Sequence, residues 1–110
     1  MKVVDNFLPK EQFEKMRDTF LSDYFPYYYI KNVAKDGEND KKMFYFIHYL
    51  YKNGRTNASK WYPMLSEILL DKINYNFLIR AKLNCYPRSD QKVIHSKHVD
   101  YTYRTKGLIF

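Results

Sequence analysis

The run from Phe44 to Tyr51 is apolar or aromatic at every position except His48. In a strand, alternate side chains face opposite sides. Phe44, Phe46, His48 and Leu50 then share one face, and Tyr45, Ile47, Tyr49 and Tyr51 the other. A strand that is apolar on both faces is usually covered on both sides, so the rest of the chain must supply two layers of cover. With 110 residues there is room for one domain and a modest core.

The remaining periodicity supplies candidates for that cover. Val3-Val4 could open the chain as a short strand. Pro9 suits a first helical turn, where its missing N–H costs little. Phe13, Met16, Phe20 and Leu21 follow at helical spacing. The expected helix runs from Pro9 to Ser22, and Pro26 blocks its continuation. Pro26 to Ile30 is rich in strand formers, and 33–42 reads as a polar loop around Asp36-Gly37. Ser59 is an acceptable N-cap for a second helix whose apolar stripe is Trp61, Leu65, Ile68, Leu69 and Ile73, with Pro63 in its first turn. Phe77 to Tyr86 is a further strand, ended by Pro87. Helices preceding and interleaved with aromatic strands give an α+β fold with a β-sandwich core.

Charge and cysteine content restrict the partners. Lys+Arg of 19 against Asp+Glu of 12 gives +7, which favours anionic ligands. The basic residues are scattered, however, and a composition rich in Lys, Asn, Tyr, Ile and Phe needs no nucleic-acid role to explain it. A nucleic-acid interface would need aromatics interleaved with basic residues on one exposed face; here the aromatics alternate within strands that read as buried. Cys85 is the single cysteine. It can form no internal disulfide, and it reads as a small buried apolar residue. No apolar run approaches membrane-spanning length and the N-terminus lacks a signal-peptide core, so the cytoplasm is the default expectation.

Chemistry concentrates in the tail. Cys85-Tyr86-Pro87 closes a strand, His98-Val99-Asp100 follows a polar excursion, and Gly107-Leu108-Ile109-Phe110 is apolar again. Residues i and i+2 of a strand project from one face, so His98 and Asp100 could lean onto one cation. Two imidazoles and one carboxylate form the facial triad of non-haem Fe(II) oxygenases. A solvated strand end is the alternative, since His-x-Asp is a short pattern. His95, three residues before His98, falls on the opposite face of a regular strand and reads as a pocket-rim residue. Arg80, Lys82, Arg104 and Lys106 are candidate carboxylate partners, with plain solvation as the alternative for each.

In the order strand, Tyr-Pro step, His-x-Asp, apolar strand, the segment from Leu78 to Phe110 resembles the first half of the catalytic core of prolyl-4-hydroxylase-like 2-oxoglutarate/Fe(II) dioxygenases. Val4-Asp5-Asn6-Phe7-Leu8-Pro9 also looks like the entry to that family's first helix. The resemblance implies a double-stranded β-helix (jelly-roll) core with N-terminal supporting helices. It implies Fe(II) and 2-oxoglutarate as cofactor and cosubstrate, with ascorbate as an accessory. Metal ligation falls to His98 and Asp100, cosubstrate contact to Tyr86, and the activity is hydroxylation coupled to 2-oxoglutarate decarboxylation. The substrate class, peptide side chain or small molecule, stays open. The family's second histidine ligand and its basic cosubstrate anchor lie beyond the strand at which this sequence ends. The expectation is therefore a single domain over 1–110 whose jelly roll is incomplete and which is inactive alone. His48 precedes the motif and sits on an apolar face, so it reads as a core histidine. The rival readings are a non-catalytic jelly-roll or cupin-like domain and a basic nucleic-acid-binding module.

Overall fold

In the computed structural model the described residues are 2–31, 44–52, 59–90 and 100–109. They build an α+β unit in which two helices pack on one face of a three-stranded antiparallel sheet. In chain order these are α1 (Lys10–Phe20), β1 (Tyr28–Ile30), β2 (Tyr45–Lys52), α2 (Tyr62–Ile68), a 3-10 turn over Leu70–Lys72, and β3 (Arg80–Cys85). The double-sided strand anticipated at 44–51 is the centre of the sheet, in the order β1-β2-β3.

The entry to α1 is an exposed Val3-Val4, which forms no strand, and a turn at Asp5-Asn6. Asn6 has φ 52°, a left-handed conformation that asparagine tolerates better than most residues. Pro9 is the N-cap, and its carbonyl accepts the N–H of Phe13. The buried stripe of α1 differs from the apolar pattern. Met16 and Phe20 are buried, whereas Phe13 and Leu21 are exposed. The inward line is Gln12, Met16 and Thr19-Phe20, an i, i+4, i+7, i+8 series. Gln12 sits on it because its Oε1 accepts a hydrogen bond from Lys72 Nζ at 2.6 Å, tying α1 to the 3-10 turn. Lys72 also donates to the Ile68 carbonyl at 2.8 Å, which satisfies an acceptor that the end of α2 leaves without a helical partner.

Across α2 and the 3-10 turn that follows it the sequence stripe holds. Leu65, Ile68, Leu69 and Leu70 are buried, with Trp61 and Ile73 partly buried against them. Ser59 acts two residues ahead of the N-cap, which is Trp61. Its hydroxyl accepts the Trp61 N–H and its carbonyl the Tyr62 N–H.

Strand β2 contributes Leu50, 1% exposed, to this helix-side core, and β3 contributes Ala81 and Leu83. Phe25 is the aromatic hub. Its ring lies 4.5–5.1 Å from the rings of Phe20, Tyr27, His48 and Trp61, in tilted or edge arrangements that aromatic quadrupoles favour.

The alternation inferred for β2 breaks once. Tyr49 pairs with Lys82 and Tyr51 with Ala81, so Leu50 has no partner across the ladder. A bulge of this kind places one extra residue on a strand and shifts side-chain parity beyond it. Tyr51 consequently turns to the helix side, where its ring lies 5.1 Å from that of Tyr62. The other face carries Tyr45, Ile47 and Tyr49 from β2 and Arg80, Lys82 and Asn84 from β3. Among the described residues no helix is long and apolar enough to cross a membrane.

Candidate functional site on the open sheet face

Strand β3 fixes what this face presents. Ala81 and Leu83 belong to the core, so alternation turns Arg80, Lys82 and Asn84 the opposite way. The strand that was expected to begin at Phe77 begins at Arg80, with Phe77 exposed. Its last residue, Cys85, is exposed rather than buried. Burial fades along β3 from half-buried at 80–83 to exposed at Asn84 and Cys85, so position along the strand outweighs the apolar character of the thiol.

Tyr86 follows directly. Its ring stacks on that of Tyr45, with centroids 5.4 Å apart and planes at 11°. Asn84 Nδ2 is 3.5 Å from the Tyr86 hydroxyl. Tyr86 thus stands at the open face, half covered by a ring from the central strand and half in solvent.

Asp100 comes to the same place. Its Oδ2 accepts a hydrogen bond from Arg80 Nη2 in an ion pair, with the aspartate side chain 47% exposed. The Arg80 guanidinium also lies 5.3 Å from the ring centre of Tyr101, a cation–π distance. The Tyr45 hydroxyl responds to these groups. Burial pushes its pKa up, the neighbouring Tyr86 and Tyr49 add to the rise, Arg80 opposes it, and Asp100 adds again. Lys82, whose ammonium is 5.8 Å from the Tyr45 ring centre, is pushed down by burial first and by Arg80 second, with Asp100 opposing. Two of the residues singled out from the sequence, Tyr86 and Asp100, are therefore brought together around Tyr45, along with Arg80 and Lys82 from the list of candidate cations. Arg104 and Lys106 are exposed beyond them, in a segment that forms no strand.

His98 and His95 lie outside the described residues. Among the described residues no group of three His, Cys, Asp or Glu side chains could hold a metal ion.

His48 is accounted for on the other side of the sheet. It is 5% exposed, with Nδ1 2.7 Å from the Pro26 carbonyl and Nε2 2.8 Å from Ser59 Oγ. A carbonyl only accepts, so Nδ1 carries the proton and Nε2 accepts from the serine hydroxyl. Ser59 Oγ in turn accepts the Trp61 N–H at 3.3 Å. Both ring nitrogens are used, and the imidazole joins β2 to the start of β1 and the entry to α2. His48 is a core tie.

Tyr45 and Arg80 are what sequence reasoning undervalued. Tyr45 reads as one more core aromatic until β3 is laid beside β2 in register, with Phe46 opposite Cys85 and Ile47 opposite Asn84. That register brings Tyr45 within reach of the Tyr86 ring. Compared with family models, curated proteins and solved structures, the chain has no match.

Proposed function

We propose that this chain carries the first part of a 2-oxoglutarate/Fe(II)-dependent dioxygenase site, and that its three-stranded sheet is one wall of a double-stranded β-helix (jelly-roll) core. The observation that supports the reading is the gathering of Tyr86 and Asp100 around Tyr45, on the face turned away from the helices. These are the two described residues to which the sequence resemblance gives a role.

The donor chemistry fits the metal in kind. Asp100 is a half-exposed carboxylate on an open face, and with a neutral His98 imidazole it would offer a divalent iron the oxygen and nitrogen ligands such sites use. Iron and 2-oxoglutarate, when bound, supply the oxidising chemistry, with ascorbate as an accessory; the protein supplies position and electrostatics. Tyr86 presents its hydroxyl to the cosubstrate, and the Tyr45 ring beneath it sets the direction of that hydroxyl. Arg80 keeps Asp100 against the sheet. Arg80 and Lys82 give the face the positive field that a dicarboxylate needs to leave water. The helix-side core, closed by Leu50, Ile68 and the His48 tie, holds the sheet rigid behind the site.

The test is Fe(II) and 2-oxoglutarate binding, measured on the protein and on its Tyr86→Phe and Asp100→Ala variants. The reading expects Asp100→Ala to abolish Fe(II) binding and Tyr86→Phe to raise the 2-oxoglutarate concentration required. Equal Fe(II) binding by Asp100→Ala and the unmodified protein would remove the assignment.

A further inference from the structure

The same face holds an arrangement that a small dicarboxylate does not explain. Lys52 and Arg80 stand directly opposite each other in the β2–β3 ladder. Like charges placed directly across a sheet destabilise it. Lys82 lies two residues along β3 on the same side, opposite Tyr49. Among the described residues no carboxylate forms an ion pair with Lys82; the carboxylate drawn to this group is Asp100, and it pairs with Arg80. Among the described residues the cations therefore outnumber the carboxylate that meets them.

Aromatic rings alternate with those charges. The Lys52 ammonium is 4.6 Å from the ring centre of Tyr49, Lys82 lies by Tyr45, and Arg80 lies over Tyr101. Tyr49 and Tyr101 are half-buried, so their rings are only partly covered, and Tyr103, 5.2 Å from Tyr101, is exposed. The helices occupy the opposite side of the sheet; on this one Tyr45 and Ile47 are buried, and the half-buried Tyr49, Arg80, Lys82 and Tyr101 are what an extended ligand can reach.

We infer that this open face binds single-stranded nucleic acid, with Lys52 and Lys82 on phosphates and the flanking tyrosine rings, Tyr49 first, on bases. Proteins that hold single strands with little sequence preference combine these two elements, a cationic track and aromatic surfaces for stacking. An acidic peptide would satisfy the cations and leave the rings unused. The chain's net charge of +7 adds steering towards a polyanion. As a binding property the inference stands alone. As the substrate class of the oxygenase it rests on the function proposed above.

The experiment is fluorescence anisotropy of the chain, free of metal and cosubstrate, with a labelled oligothymidylate of about fifteen nucleotides across a salt series. Two phosphate contacts predict a log–log salt slope of roughly −1.4, and Lys82→Gln should make it shallower by about 0.7. Tyr49→Leu should weaken binding about tenfold with the slope unchanged. Poly-glutamate of equal charge should compete poorly. Circular dichroism on each variant separates lost contact from lost fold. Absence of saturable binding, equal competition by poly-glutamate, or folded variants that bind like the unmodified chain would overturn the inference. His98→Ala separates the two proposals: it should lose metal binding and keep oligonucleotide binding.

Discussion

The ring of Tyr86 lies nearly parallel on that of Tyr45, and this stack joins the residue after β3 to the central strand of the sheet. Stacked aromatic pairs contribute about 0.5–1.5 kcal/mol beyond their buried area. Here the contact also fixes where the Tyr86 hydroxyl points.

Replacing Tyr45 by Leu should therefore cost about 1 kcal/mol of stability through the lost stack, and should weaken 2-oxoglutarate binding, because Tyr86 loses its support. Tyr45→Phe keeps the ring and should leave cosubstrate binding close to normal. Calorimetric titration of both variants checks this. Equal affinity in the leucine variant and the unmodified protein would show that Tyr86 does not depend on Tyr45.

His48→Ala should destabilise the fold by about 2–4 kcal/mol, since it opens a cavity in the core and strands the Pro26 carbonyl without its donor. Metal binding should be untouched, because both imidazole nitrogens already serve the fold. Urea denaturation together with a metal titration on the same variant reads both halves of the expectation.

The pH dependence of stability carries a definite sign at the alkaline end. Burial raises the hydroxyl pKa values of Tyr45 and Tyr62. In the unfolded chain both ionise near ~10, so above that pH the unfolded state holds fewer protons than the native one, and stability falls as pH rises. Lys82 acts oppositely, since its pKa is lowered and stability recovers as the pH climbs from its folded value to ~10.4. Burial raises the Tyr27 hydroxyl in the same direction, so three tyrosines act against one lysine. Tm should decline above ~10, and Tyr45→Phe combined with Tyr62→Phe should flatten the decline. Melting curves from pH 8 to 11, at about half-unit steps, decide the matter.

Two apolar positions of α1 that differ sharply in burial, Phe13 and Met16, make a direct comparison. Met16→Ala should cost about 2–5 kcal/mol as a core truncation. Phe13→Ser, at a position 52% exposed, should stay within about 0.5 kcal/mol. Denaturation midpoints of the pair check the orientation of the helix, and the reverse ranking would mean that Phe13 faces the core.

This comparison marks how far the sequence could be read. Both helices and β2 follow from periodicity, because burial imposes a repeat of 3.6 or 2.0 on the residue types, and β1 from its strand-forming residues; the strands expected at Val3-Val4 and over 107–109 do not form. The rotation of α1 does not follow, because Gln12 takes an inward place through a hydrogen bond to Lys72, a residue distant in the chain. Nor does the switch of Tyr51 to the helix side, since a bulge at Leu50 leaves the residue types unchanged while altering their parity. At the site, Tyr86 and Asp100 were visible as types within a motif. Tyr45 and the Lys52–Arg80 opposition were not, because both depend on the β2–β3 register.

The central claim is that Asp100 and His98 hold a metal beside a cosubstrate contacted by Tyr86. Its most direct test is anaerobic Fe(II) titration by calorimetry, with and without saturating 2-oxoglutarate. A shared site makes the two ligands cooperative, and the coupling is reciprocal. The account predicts that 2-oxoglutarate tightens Fe(II) binding by about tenfold or more, and that both Asp100→Ala and His98→Ala abolish the coupling. Fe(II) affinity indifferent to 2-oxoglutarate, or unchanged in both variants, would contradict it.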